Sequence, residues 1–176
     1  MKEKHKIILC QGIQGSGKST YARAWAQEKP EERVRWNNDD FRTLMGKYWV
    51  PSRETIVKNI RSRFMFEAME GNYDIIVDDM NLNPKTINWY EAVINTWNRE
   101  GFHKSEYELE LKLFNTPLEV CIERDSKREN PIGAKVITET YNRYKEYLEE
   151  NHPQFSEHKF GNTVILHEET NETNSK

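Results

Sequence analysis

Eight consecutive residues near the start of the chain, Gly12-Ile13-Gln14-Gly15-Ser16-Gly17-Lys18-Ser19, match G-x-x-x-x-G-K-[ST] at every fixed position. Glycines let a backbone wrap tightly enough for successive N–H groups to point at phosphate oxygens. The N-terminus of a following helix adds its dipole. In such a loop Lys18 reaches the β- and γ-phosphates of a nucleoside triphosphate, and the Ser19 hydroxyl ligates Mg2+. Gln14 and Thr20 fall within the same nucleotide-contacting run. A chance glycine-rich turn is the alternative. A short apolar run before the loop and a helical pattern after it speak against that.

Three other groupings carry charge in usable patterns. In Asn38-Asp39-Asp40-Phe41-Arg42 the arginine lies three residues after Asp39, hence on the same helix face. A phosphoryl acceptor alcohol needs a positioned carboxylate, and an arginine fork beside it suits an acceptor phosphate. The same residues serve equally as a helix cap paired with Arg42. Asp78-Asp79-Met80-Asn81 closes an apolar run, where a phosphate-loop fold keeps a carboxylate near Mg2+ and its water. Two adjacent aspartates also begin turns. Arg124 and Arg128, four apart with a Pro131-Ile132-Gly133 break after them, suit a lid over a transferring phosphoryl group. Pairing with Glu123, Asp125 and Glu129 on a solvated face is the alternative. The five histidines have no metal-ligand or triad spacing, and Trp25, Trp49, Trp89 and Trp97 read as core residues.

The elements that must position these groups alternate along the chain. Ile7-Ile8-Leu9-Cys10 and Ile75-Ile76-Val77 read as strands buried on both faces, and Val34-Arg35-Trp36 as a weaker one. Helices are expected over 20–28, 53–70, 83–100, 118–128 and 134–149. In the second, Ile56, Val57, Ile60, Phe64 and Ala68 recur at helical spacing. Asn83 caps the third with Pro84 at its first position, and Gly101 ends it. Tyr107, Leu109, Leu111 and Leu113 alternate with Glu108, Glu110 and Lys112, which places that strand toward a sheet edge. A last strand is expected over 162–166. The pattern implies an α/β fold, an open, mostly parallel three-layer sheet whose site lies at the carboxyl ends of its strands. The segments following Cys10, Trp36 and Val77 should share one crevice.

Composition sets bounds. With 176 residues the chain is near one domain's worth of sequence, and charged residues make up 31% of it. No run approaches the ~18 apolar residues that span a bilayer. Net charge is −3, of which residues 168–176 supply −2, so the remainder is almost neutral. That argues against coating long stretches of nucleic acid and leaves room for gripping a few phosphates at a strand end. Two cysteines make no disulfide framework and no secretory leader is evident, so a cytoplasmic compartment is expected. Residues 1–167 read as one domain and 168–176 as a disordered polar tail.

The four blocks, in this order, resemble the kinase domain of phage polynucleotide kinase and its relatives among small P-loop kinases. The pairing of Asn38–Arg42 with Asp-Met-Asn-Leu-Asn-Pro at 79–84 is more specific than the phosphate loop alone. The resemblance implies ATP and Mg2+ as cofactors and a three-layer P-loop kinase fold. It implies Asp39 as the general base for an acceptor 5′-hydroxyl and Arg42 as the ligand of the adjacent phosphate. Asp79 and Asn81 are implied at the acceptor end, with Asp79 joining Ser19 around the metal. Lys18, Arg124 and Arg128 are implied on the donor phosphates. Asn37 before Asn38, and Met80 in place of a small polar residue, depart from the family pattern. The phosphatase motif Asp-x-Asp-Gly-Thr of its best-known members does not occur here. The expected activity is transfer of the γ-phosphate to the 5′-hydroxyl of DNA or RNA, with a short single-stranded footprint. A kinase of another hydroxyl, on a modified base or a small metabolite, is the first alternative, and a nucleotide-binding switch module the second.

Overall fold

Ile7 and Leu9 on one face and Ile8 and Cys10 on the other are all buried, so the strand carrying them, β1 (Glu3–Gln11), takes the middle of the sheet. The computed structural model describes residues 2–150, 159–160 and 163–167. After β1 come α1 (Lys18–Glu28), β2 (Arg33–Trp36), α2 (Asn38–Leu44), α3 (Glu54–Glu70), β3 (Asp74–Val77) and α4 (Pro84–Glu100). Then follow β4 (Ser105–Leu113), α5 (Leu118–Ser126), α6 (Ala134–Glu150), β5 (Lys159–Phe160) and β6 (Thr163–His167). The sheet order is β2-β3-β1-β4-β6-β5, with every pairing parallel except β5 against β6. This is the mostly parallel, helix-flanked sheet expected.

One face of the sheet packs Ile7, Leu9, Ile75, Val77, Leu109 and Leu111 against Met65, Ala68 and Met69 of α3 and Tyr90, Ile94 and Trp97 of α4. The other packs Ile8, Cys10 and Ile76 against Ala22 and Trp25 of α1. Each large apolar side chain so buried contributes about 1.5–3 kcal/mol. A third cluster, Ile13, Leu82, Leu113, Cys121, Ile137 and Leu148, seats α5 and α6. Helix starts are set by side chains. The Asn37 side chain accepts from the Asp40 N–H at 2.8 Å, and the Asn83 side chain accepts from Lys85 N–H at 3.0 Å, with Pro84 following. Gly101, at φ 74°, ends α4 as expected.

Four expectations are corrected. The alternating strand β4 is not at an edge: it lies between β1 and β6. Its polar residues face the side where the short α1 covers only part of the sheet, and Glu110 is buried there against Lys6 at 3.2 Å. In α3 the inward stripe is Val57, Phe64, Met65, Ala68 and Met69, while Ile56 and Ile60 are exposed. Trp49 is half exposed rather than in the core. The first helix begins at Lys18, two residues before Thr20. Residues 168–176 lie outside the described residues.

Candidate active site

The segments after β1, β2 and β3 meet at the carboxyl end of the sheet in one crevice of about 1410 Å³. One wall is the glycine loop and α5; the other is formed by residues from α2, α3 and the 78–86 segment.

The loop's glycines are required by space as well as by φ. A Cβ on Gly12 would come within 2.7 Å of Ser16 Oγ, and one on Gly15 (φ 81°) would overlap the Cys121 backbone. Lys18 Nζ, buried, donates to the Ile13 carbonyl at 2.7 Å and to Ser16 Oγ at 3.3 Å. Burial pulls its pKa down, with the Asp78 charge opposing. Ser19 Oγ donates to Asp78 Oδ1 at 3.2 Å. The other oxygen of that fully buried carboxylate accepts from Arg35 Nε at 3.1 Å and Nη2 at 2.5 Å. Arg35 Nη1 reaches Asp40 Oδ2 at 2.6 Å. So Asp40 turns away from the crevice and steadies Arg35, and Arg35 steadies Asp78.

Helix α5 is tied to the same loop. Thr116 Oγ1 donates to the Ser16 carbonyl at 2.9 Å, and Arg124 Nη1 approaches the Gly15 carbonyl at 3.4 Å. Arg124 and Arg128 both line the crevice, whereas Lys127 turns out to Glu123 at 2.6 Å. Asp125, buried between them, accepts the Gly133 N–H at 2.9 Å and lies 3.7 Å from Arg128 Nη1.

The opposite wall carries Asp39, exposed, with Arg42 Nη1 on its Oδ1 at 2.5 Å. Arg42 also donates to both oxygens of Glu54, at 2.8 and 2.7 Å, and lies 5.4 Å from the Trp49 ring. Asp79 accepts from the Asn38 N–H at 3.0 Å and Asn38 Nδ2 at 2.7 Å. Burial, with the charges of Asp39 and Asp78, pushes Asp79 up to about 7, against the pull of the Asn38 N–H. Asn81, in the left-handed region at φ 46°, spends its Nδ2 on the carbonyls of Cys10, Val77 and Asp79 at 2.9–3.2 Å. Its own carbonyl accepts from Gln11 Nε2 at 2.9 Å, and Gln11 Oε1 accepts from the Tyr147 hydroxyl at 2.7 Å. Asn81 therefore ties the carboxyl end of β3 to that of β1.

The structure thus gathers Gln14–Thr20, Asp39, Arg42, Asp79, Asn81, Arg124 and Arg128 around one crevice, with Gly12 behind them against Ser16 and Phe114. It differs from expectation in the strand-end pair: Ser19 meets Asp78, while Asp79 faces Asn38. Alternation along β3 could have told the two apart, since neighbouring side chains point to opposite faces. Sequence reasoning missed Arg35, which stood only as a strand residue, and Arg61, which lines the crevice from α3. Among the described residues, no grouping of histidine, cysteine and acidic side chains could hold a metal by itself. Nor is any helix long and apolar enough to cross a membrane.

Comparison with known proteins agrees with this architecture. A protein of Autographa californica nuclear polyhedrosis virus, named as a bifunctional polynucleotide kinase/RNA ligase, is 26% identical over 164 residues, covering 85% of this chain and 22% of that protein. A chain of the Pnkp1/Rnl/Hen1 RNA repair complex superposes with a TM-score of 0.67 at 22% identity, over 86% of this chain and 47% of that one. A fungal RNA kinase gives 0.60 at 15% identity, over 99% and 79%. The Mycobacterium tuberculosis APS kinase CysC, in complex with AMPPNP and APS, gives 0.52 at 15% identity, over 94% and 89%. This chain spans about a fifth of the viral relative's length and about half of the repair-complex chain. The fold is that of the P-loop kinases, and residues 7–151 match the AAA domain family (AAA_33): the chain is a nucleotide-binding member of that family.

Proposed function

We propose that this domain transfers the γ-phosphate of ATP to the 5′-hydroxyl of a DNA or RNA strand. The observation that carries the reading is an exposed carboxylate, Asp39, paired with Arg42 and set across one crevice from a complete phosphate loop and two arginines. A nucleotide switch needs the loop alone, whereas a kinase needs both walls. The names of the viral relative and of the RNA repair and RNA kinase structures support a polynucleotide acceptor.

In this reading the loop N–H groups and Lys18 hold the β- and γ-phosphates, and Arg124 and Arg128 offset charge on the transferring group. Asp39 takes the proton of the attacking hydroxyl. A hydroxyl and a carboxylate oxygen 3.2 Å apart form an oxygen donor set that fits Mg2+, which keeps most of its waters. Ser19 and Asp78 would hold the ion, which when bound neutralises phosphate charge. Arg35 fixes the Asp78 rotamer, and Asp79 and Asn81 shape the acceptor end.

The engagement of Arg42 by Glu54 favours one second reading, an acceptor hydroxyl with no phosphate beside it. Labelled ATP offered with a 5′-hydroxyl oligonucleotide, a nucleoside 3′-monophosphate, a free nucleoside and a duplex with internal hydroxymethylated bases separates the two. Transfer to the first two with little to the third supports the end-kinase reading. Label only on the nucleoside or the internal base overturns it.

A further inference from the structure

A cation stands on the acceptor wall in addition to Arg42. The inward row of α3 runs at helical spacing through Val57, Arg61, Met65 and Met69, so a charged residue takes a place in an otherwise buried stripe. Arg61 is not drowned there. Its guanidinium lies 4.4 Å from the centroid of the Trp89 ring and 5.8 Å from that of Tyr90, and it lines the crevice beside Asp39, Asn83 and Thr86. Two aromatic faces hold the side chain without consuming a single N–H donor. Among the described residues Arg61 Nε is buried with no hydrogen-bond partner, and so is the Tyr90 hydroxyl. That hydroxyl feels the charges of both Arg61 and Asp79. An unpartnered donor on an arginine that lines a crevice asks for an acceptor.

Arg42, by contrast, is already committed, with two bonds to Glu54 and one to Asp39. A phosphate arriving at Arg42 competes with two carboxylates; one arriving at Arg61 competes with none within ion-pair reach among the described residues. We propose that Arg61, cradled by Trp89 and Tyr90, binds a phosphate of the acceptor strand and carries the larger share of phosphate-dependent acceptor affinity. The inference rests on the polynucleotide reading and names a ligand-binding residue for that same site.

The test is binding of a fluorescent 5′-hydroxyl single-stranded oligonucleotide, without ATP, to wild-type protein, Arg61→Gln and Arg61→Lys over a range of salt. Arg61→Gln is expected to weaken binding by about tenfold and to lower the slope of log K against log[salt] by about 0.7, the share of one phosphate on a single strand. Arg61→Lys keeps the charge and should hold the wild-type slope with most of the affinity. The KM for ATP should stay within twofold in both variants, as should the KM for a phosphate-free nucleoside. An unchanged oligonucleotide affinity and slope in Arg61→Gln overturns the inference. So does an equal loss toward the nucleoside or ATP, which marks a residue that only supports the fold. Wild-type protein that neither binds nor phosphorylates the oligonucleotide defeats the polynucleotide reading itself. A wild type that does both, beside an indifferent Arg61→Gln, defeats this inference alone.

Discussion

The two walls of the crevice are built by opposite rules. Around the phosphate loop the buried charges are countered, Lys18 by the Ile13 carbonyl and Ser16 Oγ, and Asp78 by Arg35, itself held by Asp40, while Arg124 and Arg128 reach in from the exposed α5 segment. On the α2–α3 side Asp39 is exposed and paired with Arg42, and exposed Tyr48 and Trp49 lie close by. A site for phosphates of fixed geometry can be rigid, because every triphosphate presents the same oxygens. A wall that meets varied strands, as the proposed function has it, gains from side chains that adjust. The difference teaches where substitution should be intolerable and where it should be graded.

The largest effect belongs to the loop side. Lys18→Ala should lower phosphate transfer by at least about 10³-fold, since positioned charge supplies most of phosphoryl-transfer catalysis. Turnover of labelled ATP measures it, and near-normal turnover would break the contrast between the walls. On the other wall Asp39→Asn should reduce kcat by about 10²- to 10⁴-fold while ATP affinity moves only a few-fold, the signature of a base that touches the acceptor alone. Asp40→Asn should instead leave the proton step intact and loosen Arg35. The reverse ranking in steady-state kinetics would exchange the roles of the two aspartates. Arg128→Lys keeps the charge and loses the planar fork, so kcat should fall about tenfold with a smaller rise in the KM for ATP. Equal kcat would return Arg128 to the solvated face.

The smallest effect concerns Asp79, whose carboxyl is held at about 7 against an ordinary value of 3.8. A carboxyl raised on folding favours the native state while protonated, and that contribution is lost as pH rises from about 4 through 7. Urea midpoints of the wild type should therefore decline over that window, and those of Asp79→Asn should decline less. Parallel curves would mean that Asp79 is ionised and paired in the folded protein.

The loop side was legible in the residues because its parts are consecutive: eight positions define it, and the strand and helix around it follow from local periodicity. The fold was legible for the same reason wherever strands were apolar on both faces, as at Ile7–Cys10. It failed at β4, where Glu108 and Lys112 signalled an edge although the strand lies inside the sheet. Coverage by a short α1 is a tertiary fact that alternation cannot encode. Arg61 escaped notice because a single arginine has no motif. Its place on the row 57–61–65 becomes meaningful only once α3 has chosen its inward face, and Ile56 and Ile60 argued for another face.

Gly15 sits so close to the Cys121 backbone that no side chain fits between them, and Arg124 and Thr116 fasten the same junction. The loop and α5 consequently travel as one piece. The stretch 127–133 is pinned instead by the Asp125 carboxylate on the Gly133 N–H, so an opening on this wall would break that bond before it disturbed the loop–α5 junction. On the proposed reading, a kinase domain that gives way there would empty and refill without disturbing the cradle that has to be in register for the next turnover.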